Sequence, residues 1–237
     1  MFELYNFFVI ISIVYFAEDT MRNDICTIPV TEIFEVNDGC PICRMRKIIE
    51  ERMIDYILGD AMMEPDVRIE TNKVGFCDKH FEDLYNHKGR LQLALMLQTH
   101  IDELKKEIFS DKKAKKGSKI GESCFICEKI EWGMSRLIET VYRTYERESE
   151  FRDMFNSQPY FCIKDYERLV SCADKKLLKK QYGSFLENIN RIEREHAEKL
   201  YKNISKYCNM YDYRNKDKGE DFSDCVDAVE RSLDFLK

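Results

Sequence analysis

The sequence predicts an all-α fold made of two related helical units and a C-terminal helix. Three observations lead to this prediction. The composition combines 44% hydrophobic and 35% charged residues with only 9 Gly and 4 Pro, which is typical of helical proteins. Apolar residues recur every three or four positions along several segments. Two Cys-x-x-Cys motifs are each followed, at nearly the same distance, by a Phe-Cys element.

Two stretches of the chain repeat each other closely. "GFCDKHFEDL" spans residues 75–84 and "YFCIKDYERL" spans residues 160–169. The Cys-x-x-Cys pair before the first stretch is Cys40 and Cys43, and the pair before the second is Cys124 and Cys127. The Cys-x-x-Cys pair and the Phe-Cys element both occur twice, with nearly the same number of residues between them. This agreement predicts an internal duplication.

The duplication and the local composition predict a division of the chain into five parts. These are an apolar extension at 1–20, a first Cys-x-x-Cys/Cys-x-x-His unit at 21–110, a Lys-rich linker at 111–121, a second Cys-x-x-Cys/Cys unit at 122–208, and a linker with a C-terminal helix at 209–237. In each unit an amphipathic helix is expected after the cysteine pair and a long amphipathic helix at the end.

The apolar extension leaves three interpretations open. Residues 4–17 are short for a membrane span, and no Lys or Arg precedes them as in a secretory signal. We favour non-native sequence ahead of a start at Met21 over an anchor or a signal peptide. The expected compartment is the cytoplasm, without stable membrane insertion.

Cys40, Cys43, Cys77 and His80 supply the four donors of a structural zinc site. A tetrahedral zinc ion is commonly held by Cys and His, and a Cys-x-x-Cys turn offers two converging sulfurs. Because His80 lies three residues after Cys77, both side chains can face one ion. The sequence therefore predicts a Cys₃His site in the first unit, with an iron–sulfur cluster as the metal alternative, although such clusters usually have four cysteines.

The second unit repeats this pattern with one change. It offers Cys124, Cys127 and Cys162, but Asp165 stands at the position of the histidine. An aspartate oxygen can bind zinc, although a Cys₃Asp set is less usual. We therefore expect one zinc ion, with a second possible, and a second site that is weaker, differently ligated or empty.

A polar segment between the motifs is the candidate for a ligand-binding loop. "EPDVRIETN" contains Glu64, Asp66, Arg68 and Asn72. Gly59 and Gly75 bracket the segment, and Pro65 is expected to break any helix there. Loops often carry function, so an enzyme site, if there is one, is expected here. Helix capping and ion pairing are the alternative roles for these side chains.

The motifs favour a binding or regulatory module over an enzyme. The sequence has no phosphate-binding Gly-rich loop, nucleophile elbow or His-Glu-x-x-His helix. The alternative is a thiol redox protein or metal-release sensor that uses the cysteine pairs. The net charge of −6 gives no general attraction for nucleic acid, so an unidentified protein is the preferred partner.

The chain from Met21 onward resembles an uncharacterised bacterial family of unknown function. The resemblance rests on "CPIC", on "GDAMMEPDVRIETNKVGFCDKHF", on "RLQLALMLQTHIDEL", and on the second "CFIC" and "FC" unit. It implies a fold and no activity. A histidine is usual in the family where this chain has Asp165, which implies an altered second site.

Overall fold

The computed structural model describes residues 30–107, 123–177, 179–211 and 222–237, and within these ranges the protein is helical without a β-strand. The helices are α1 (Pro41–Leu58), α2 (Pro65–Val74), α3 (Asp78–Asn86), α4 (Arg90–Glu107), α5 (Phe125–Arg147), α6 (Ser149–Asn156), α7 (Ile163–Lys176), α8 (Lys179–Met210) and α9 (Ala228–Leu236), with a 3₁₀ helix at Asp60–Met63. Residues 30–35 are also helical. The predicted all-α class is confirmed.

The described residues divide into two compact units. The middle unit contains residues 46–107 and 123–136, and the terminal unit contains residues 30–45 and the described residues from 137 onward. Both boundaries fall within helices, α1 and α5. The predicted extension at 1–20 and the predicted Lys-rich linker at 111–121 lie outside the described residues.

In the middle unit, α1 and α5 bury the apolar faces that their periodicity predicts. Ile49, Met53 and Ile57 on α1 are at most 7% exposed. Met134 on α5 is fully buried, and the neighbouring Gly133 leaves space for Ile49, whose Cδ1 lies 3.4 Å from where a Cβ would stand. Close approach of these two helices therefore depends on a residue without a side chain.

The predicted ligand loop is a helix, which corrects the sequence interpretation of residues 64–72. Pro65 occupies the first turn of α2, where its fixed φ and missing N–H are tolerated, so it begins a helix instead of interrupting one. Glu64 accepts a hydrogen bond from the Tyr56 hydroxyl at 2.8 Å. Asp66 is exposed in the first turn.

The other two polar residues of this segment attach α2 to α4. Arg68 donates to the Leu95 carbonyl at 3.2 Å, and the Asn72 side-chain oxygen accepts from the Thr99 hydroxyl at 3.0 Å. These contacts give Arg68 and Asn72 a packing role.

In the terminal unit, the core is a cluster of aromatic rings centred on Phe155. Its ring centroid lies 5.0 Å from that of Phe161, 5.2 Å from that of Phe185 and 5.2 Å from that of Tyr145. All four residues are at most 1% exposed. Aromatic side chains bury large apolar areas, so this cluster fixes Phe161 and the backbone that follows it.

The C-terminal helix α9 packs against the same unit. The Phe235 ring lies 5.1 Å from the His196 ring and 5.9 Å from that of Tyr160, and His196 stacks on Tyr160 at 4.2 Å. Burial, together with nearby Lys199 and Arg231, lowers the pKa of His196 to about 4. His196 is thus a neutral packing residue.

Among the helices of the described ranges, none combines the length and the apolar character needed to cross a bilayer.

Replacing Gly75 by Ala is expected to destabilise the protein by about 1–2 kcal/mol or more. Gly75 has a φ of +75°, and a Cβ would lie 3.0 Å from Cε1 of His100. The matched control is Gly183→Ala, since Gly183 lies within α8 and a Cβ there meets nothing within 4 Å; it is expected to stabilise by up to about 1 kcal/mol. Chemical denaturation measures the free energy of unfolding of both variants. Equal changes in the two variants would contradict the claim that the backbone at Gly75 requires glycine.

Candidate metal centres

The eight predicted metal ligands form two groups in the structure. The middle centre consists of Cys77, His80, Cys124 and Cys127, and the terminal centre of Cys40, Cys43, Cys162 and Asp165. In each group the four ligand atoms lie within 4.8 Å of one another. The middle centre lies wholly in the middle unit and the terminal centre wholly in the terminal unit.

The structure corrects the predicted grouping of these residues. The sequence placed the pair at 40 and 43 with Cys77 and His80, and the pair at 124 and 127 with Cys162 and Asp165. Instead, Cys40 and Cys43 join Cys162 and Asp165, and Cys124 and Cys127 join Cys77 and His80. The two groupings have the same ligand types and similar local spacing, so only the tertiary packing distinguishes them.

Every donor pair begins a helix. The carbonyls of Cys77 and Cys162, which cap α3 and α7, accept from the backbone N–H of Phe81 at 2.9 Å and of Tyr166 at 2.8 Å. Those of Cys40 and Cys124 do the same before α1 and α5. The N-terminus of a helix carries partial positive charge, which favours thiolates there. Each centre thus lies at two helix N-termini.

The middle centre has the separations expected around one tetrahedral ion. The Cys77 and Cys127 sulfurs are 3.9 Å apart, and Nδ1 of His80 lies 3.2 Å from the sulfurs of Cys77 and Cys124 and 3.4 Å from that of Cys127. Donors about 2.0–2.3 Å from a tetrahedral zinc ion lie about 3.3–3.8 Å apart. The four donors can therefore share one ion with small adjustments.

A backbone hydrogen bond joins the two segments of the middle centre. The N–H of Phe125, directly after Cys124, donates to the Gly75 carbonyl at 3.0 Å. Gly75 ends α2 two residues before Cys77. This bond aligns two segments that are distant in the sequence.

Glu50 fixes the orientation of the His80 ring. Its carboxylate Oε1 lies 3.0 Å from Nε2 of His80 and also pairs with Lys79. Burial raises the pKa of Glu50, but the hydrogen bonds from Lys79 and His80 outweigh it and lower that pKa overall. A carboxylate on one ring nitrogen leaves the other free as a metal ligand, which is the arrangement here. Glu50, His80 and Asp83 also form a three-residue group that shares this imidazole.

In the terminal centre, the Asp165 carboxylate faces the thiols. Its Oδ2 lies 3.2 Å from the sulfur of Cys162, 3.4 Å from that of Cys43 and 3.9 Å from that of Cys40. The Cys43 and Cys162 sulfurs are 3.4 Å apart. Asp165 is 1% exposed and Cys162 is 2% exposed. Three sulfurs and a carboxylate oxygen at these separations form a set that can hold a divalent ion.

Hydrogen bonds also join the segments around the terminal centre. The Gln158 amide donates to the Phe34 carbonyl at 2.7 Å and to the Asn37 side chain at 2.9 Å. Arg44, directly after Cys43, donates to the Ile33 carbonyl at 2.7 Å. Residues 33–44 are thereby held to the segment that leads into Cys162.

The pKa values of the thiols differ within each centre. Hydrogen bonds from Cys162 and Cys43 lower the pKa of Cys40 well below its ordinary value, whereas hydrogen bonding with Cys162 and Cys40 raises that of Cys43. In the middle centre, partial desolvation and the negative charge of Cys124 raise the pKa of Cys127. Charge on one thiol therefore opposes ionisation of its neighbours, and a cation would relieve that repulsion.

A buried carboxyl group supports the terminal centre from α8. Glu193 is 8% exposed, and its Oε1 accepts from the backbone N–H of Phe161 at 2.7 Å. Burial raises the pKa of Glu193 to about 7; the Phe161 hydrogen bond lowers it and the charge of Cys162 raises it further. Neither Glu193 nor Glu50 can be recognised from the sequence alone, because nothing in their local pattern separates them from surface glutamates.

Fold and site together define an all-α protein with two Cys-rich groups that can hold metal ions. The chain belongs to DUF6062, a family of unknown function, whose model matches residues 21–237. The predicted membership in a family of unknown function is thereby confirmed. No curated protein and no solved structure matches the chain.

Replacing Glu50 by Gln is expected to weaken metal binding at the middle centre about 10-fold, because the ring of His80 loses its charged partner. The test is competition with a chelating dye, with Cys43→Ser as the background so that only the middle centre is measured. The control is Glu51→Gln, an exposed position on the same helix. Equal affinity of the two variants would contradict the role of Glu50.

Replacing Glu193 by Gln is expected to stabilise the protein at high pH and not at low pH. The ordinary pKa of 4.5 rises to about 7 in the fold, so the folded state keeps a proton that the unfolded chain loses between these values. Ionisation of Glu193 thus lowers stability as the pH rises through this window, by up to about 3 kcal/mol.

Gln keeps an acceptor for the Phe161 N–H and has no proton to lose. Chemical denaturation near pH 5 and near pH 8 measures the difference, with Glu198→Gln, exposed on the same helix, as the control. If Glu193→Gln changed the stability equally at both pH values, the raised pKa of Glu193 would be contradicted.

Proposed function

We propose that this protein is a zinc-stabilised helical module that binds another macromolecule and has no catalytic role of its own. The observation that carries the proposal is the convergence of four donors, from two distant segments, at each centre. Four protein ligands fill a tetrahedral zinc ion and leave no position for a substrate water. The ions would then contribute to folding.

The ligand types support zinc at both centres. Three sulfurs with one imidazole nitrogen are a common set for structural zinc, and iron–sulfur clusters usually require four cysteines. The terminal centre offers three sulfurs and a carboxylate oxygen, which zinc also accepts. The buried Asp165 facing three thiols favours an ion there as well, so we propose two ions per chain.

The metal would stabilise both units by connecting distant segments. The middle centre ties the start of α3 to the start of α5, and the terminal centre ties the start of α1 to the start of α7. Metal binding to ligands that are separated in the unfolded chain adds to the folding free energy. Chelation is therefore expected to lower the stability of both units.

The partner we propose is a protein. The net charge of −6 does not favour the phosphate backbone of nucleic acids. Nine cysteines among the described residues are free thiols, which suits a reducing compartment such as the cytoplasm.

Metal content of paired variants tests the two ions and their grouping. His80→Ala with Cys124→Ser removes two donors from one centre, so the protein should keep one zinc ion per chain. His80→Ala with Cys43→Ser removes one donor from each centre, so both ions should be lost or greatly weakened. Elemental analysis of protein purified with reductant and without chelator gives the counts.

The grouping predicted from the sequence reverses these outcomes. If Cys43 and His80 shared an ion, their double variant would keep one zinc, and the variant of His80 and Cys124 would keep none. Wild-type protein that contains no zinc, or that contains iron, would contradict the proposed function.

A further inference from the structure

We propose that Cys127 is a modification site: hydroperoxides oxidise it, it closes a disulfide with Cys77, and the ion of the middle centre is released. This inference rests on the proposed function, because zinc ligation keeps the Cys127 sulfur in the thiolate form that reacts. In this proposal the two centres differ in chemistry: the middle centre responds to hydroperoxides, and the terminal centre keeps its ion.

Solvent exposure distinguishes Cys127 from the other thiols of the centres. Of the six cysteines in the two groups, Cys127 is the exposed one, while Cys77 and Cys43 are half-buried. Cys124 is 4% exposed, Cys40 is 6% exposed and Cys162 is 2% exposed. Because oxidation of cysteine follows thiolate character and access, the reagent reaches Cys127 first.

The thiol of Cys77 lies close enough to Cys127 to form a disulfide. The Cys77 and Cys127 sulfurs are 3.9 Å apart, and a disulfide requires about 2.05 Å. Cys77 caps α3 and Cys127 lies in the first turn of α5, so the disulfide links two helix starts that a backbone hydrogen bond already holds together. Side-chain rotation and a small backbone adjustment can close the gap.

The chemistry balances with a hydroperoxide as the only oxidant. The Cys127 thiolate attacks one peroxide oxygen, the O–O bond breaks, and a sulfenic acid and a hydroxide (for an organic peroxide, an alkoxide) result. The Cys77 thiolate then attacks the Cys127 sulfur, the S–S bond forms, and the S–O bond breaks with loss of hydroxide. Two thiolates have together lost two electrons, and the peroxide has accepted them. Both oxyanions take up protons from the buffer.

The disulfide removes two of the four zinc ligands of the middle centre. His80 and Cys124 remain, and two donors do not hold zinc in a structural site. We expect the terminal centre to keep its donors, because Cys40, Cys162 and Asp165 are buried and Cys43 is half-buried. Reduction by a thiol in the presence of zinc would restore the middle centre.

The experiment treats the zinc-loaded full chain with a stoichiometric amount of hydrogen peroxide. A chelating dye follows the released zinc, and peptide mass mapping identifies the disulfide. We expect one of the two ions to be released in step with the Cys77–Cys127 crosslink. A thiol reductant plus zinc should reverse both signals.

Three variants locate the effect. Cys43→Ser disables the terminal centre, so this variant should still release the ion of the middle centre when peroxide is added. His80→Ala disables the middle centre, so this variant should keep the ion of the terminal centre under the same treatment. Cys208→Ser removes an exposed thiol outside both centres and should behave like the wild type.

The outcomes separate this inference from the proposed function. The inference is wrong if zinc stays bound and no Cys77–Cys127 disulfide forms, or if a Cys43–Cys162 disulfide forms first. Neither of these outcomes contradicts the proposed zinc module. A chain that takes up no zinc before peroxide is added contradicts the proposed function and the inference together.

Discussion

The convergence of donors from distant segments is the constraint on which the rest of the structure depends. Each centre needs four ligand atoms within a few ångströms, and each draws two from the start of one helix and two from the start of another. Buried thiols and a buried carboxylate repel one another when ionised. A cation relieves this repulsion, so folding and metal binding are physically coupled in such a centre.

The surroundings of the two centres are built differently although their donor spacing is alike. At the middle centre the Glu50 carboxylate sets the His80 ring, and the hydrogen bond from Phe125 to Gly75 aligns the segments. At the terminal centre an aromatic core around Phe155 and the buried Glu193 fix the backbone before Cys162. The middle centre has one exposed thiol, Cys127, whereas three of the four donors of the terminal centre are buried and Cys43 is half-buried. This difference in access is the basis of the proposed oxidation at the middle centre.

The four-donor centres also bear on the choice between an enzyme and a binding module. A zinc ion with four protein ligands has no position for a reacting water. The segment with the densest polar chemistry, residues 64–72, forms a helix whose Arg68 and Asn72 contact α4. The structure thus uses Arg68 and Asn72 for packing, which is consistent with the proposed binding module.

The sequence by itself determined the fold class, the helices that follow the cysteine pairs and the set of eight metal-ligand candidates. Helical periodicity is local, and so is the turn geometry of Cys-x-x-Cys and of Cys-x-x-His, so both can be read from neighbouring residues. The start of α2 was missed because Pro65 can either interrupt or begin a helix, and the flanking residues do not decide which.

Only the tertiary structure decided which donors meet. Cys40 and Cys43 join Cys162 and Asp165, while Cys124 and Cys127 join Cys77 and His80. Both cysteine pairs have the same Cys-x-x-Cys spacing, so no local signal selects one Phe-Cys element over the other. Helix packing and buried contacts between distant segments make that choice. The same holds for Glu50 and Glu193, whose roles come from neighbours 30 and 32 residues away along the chain.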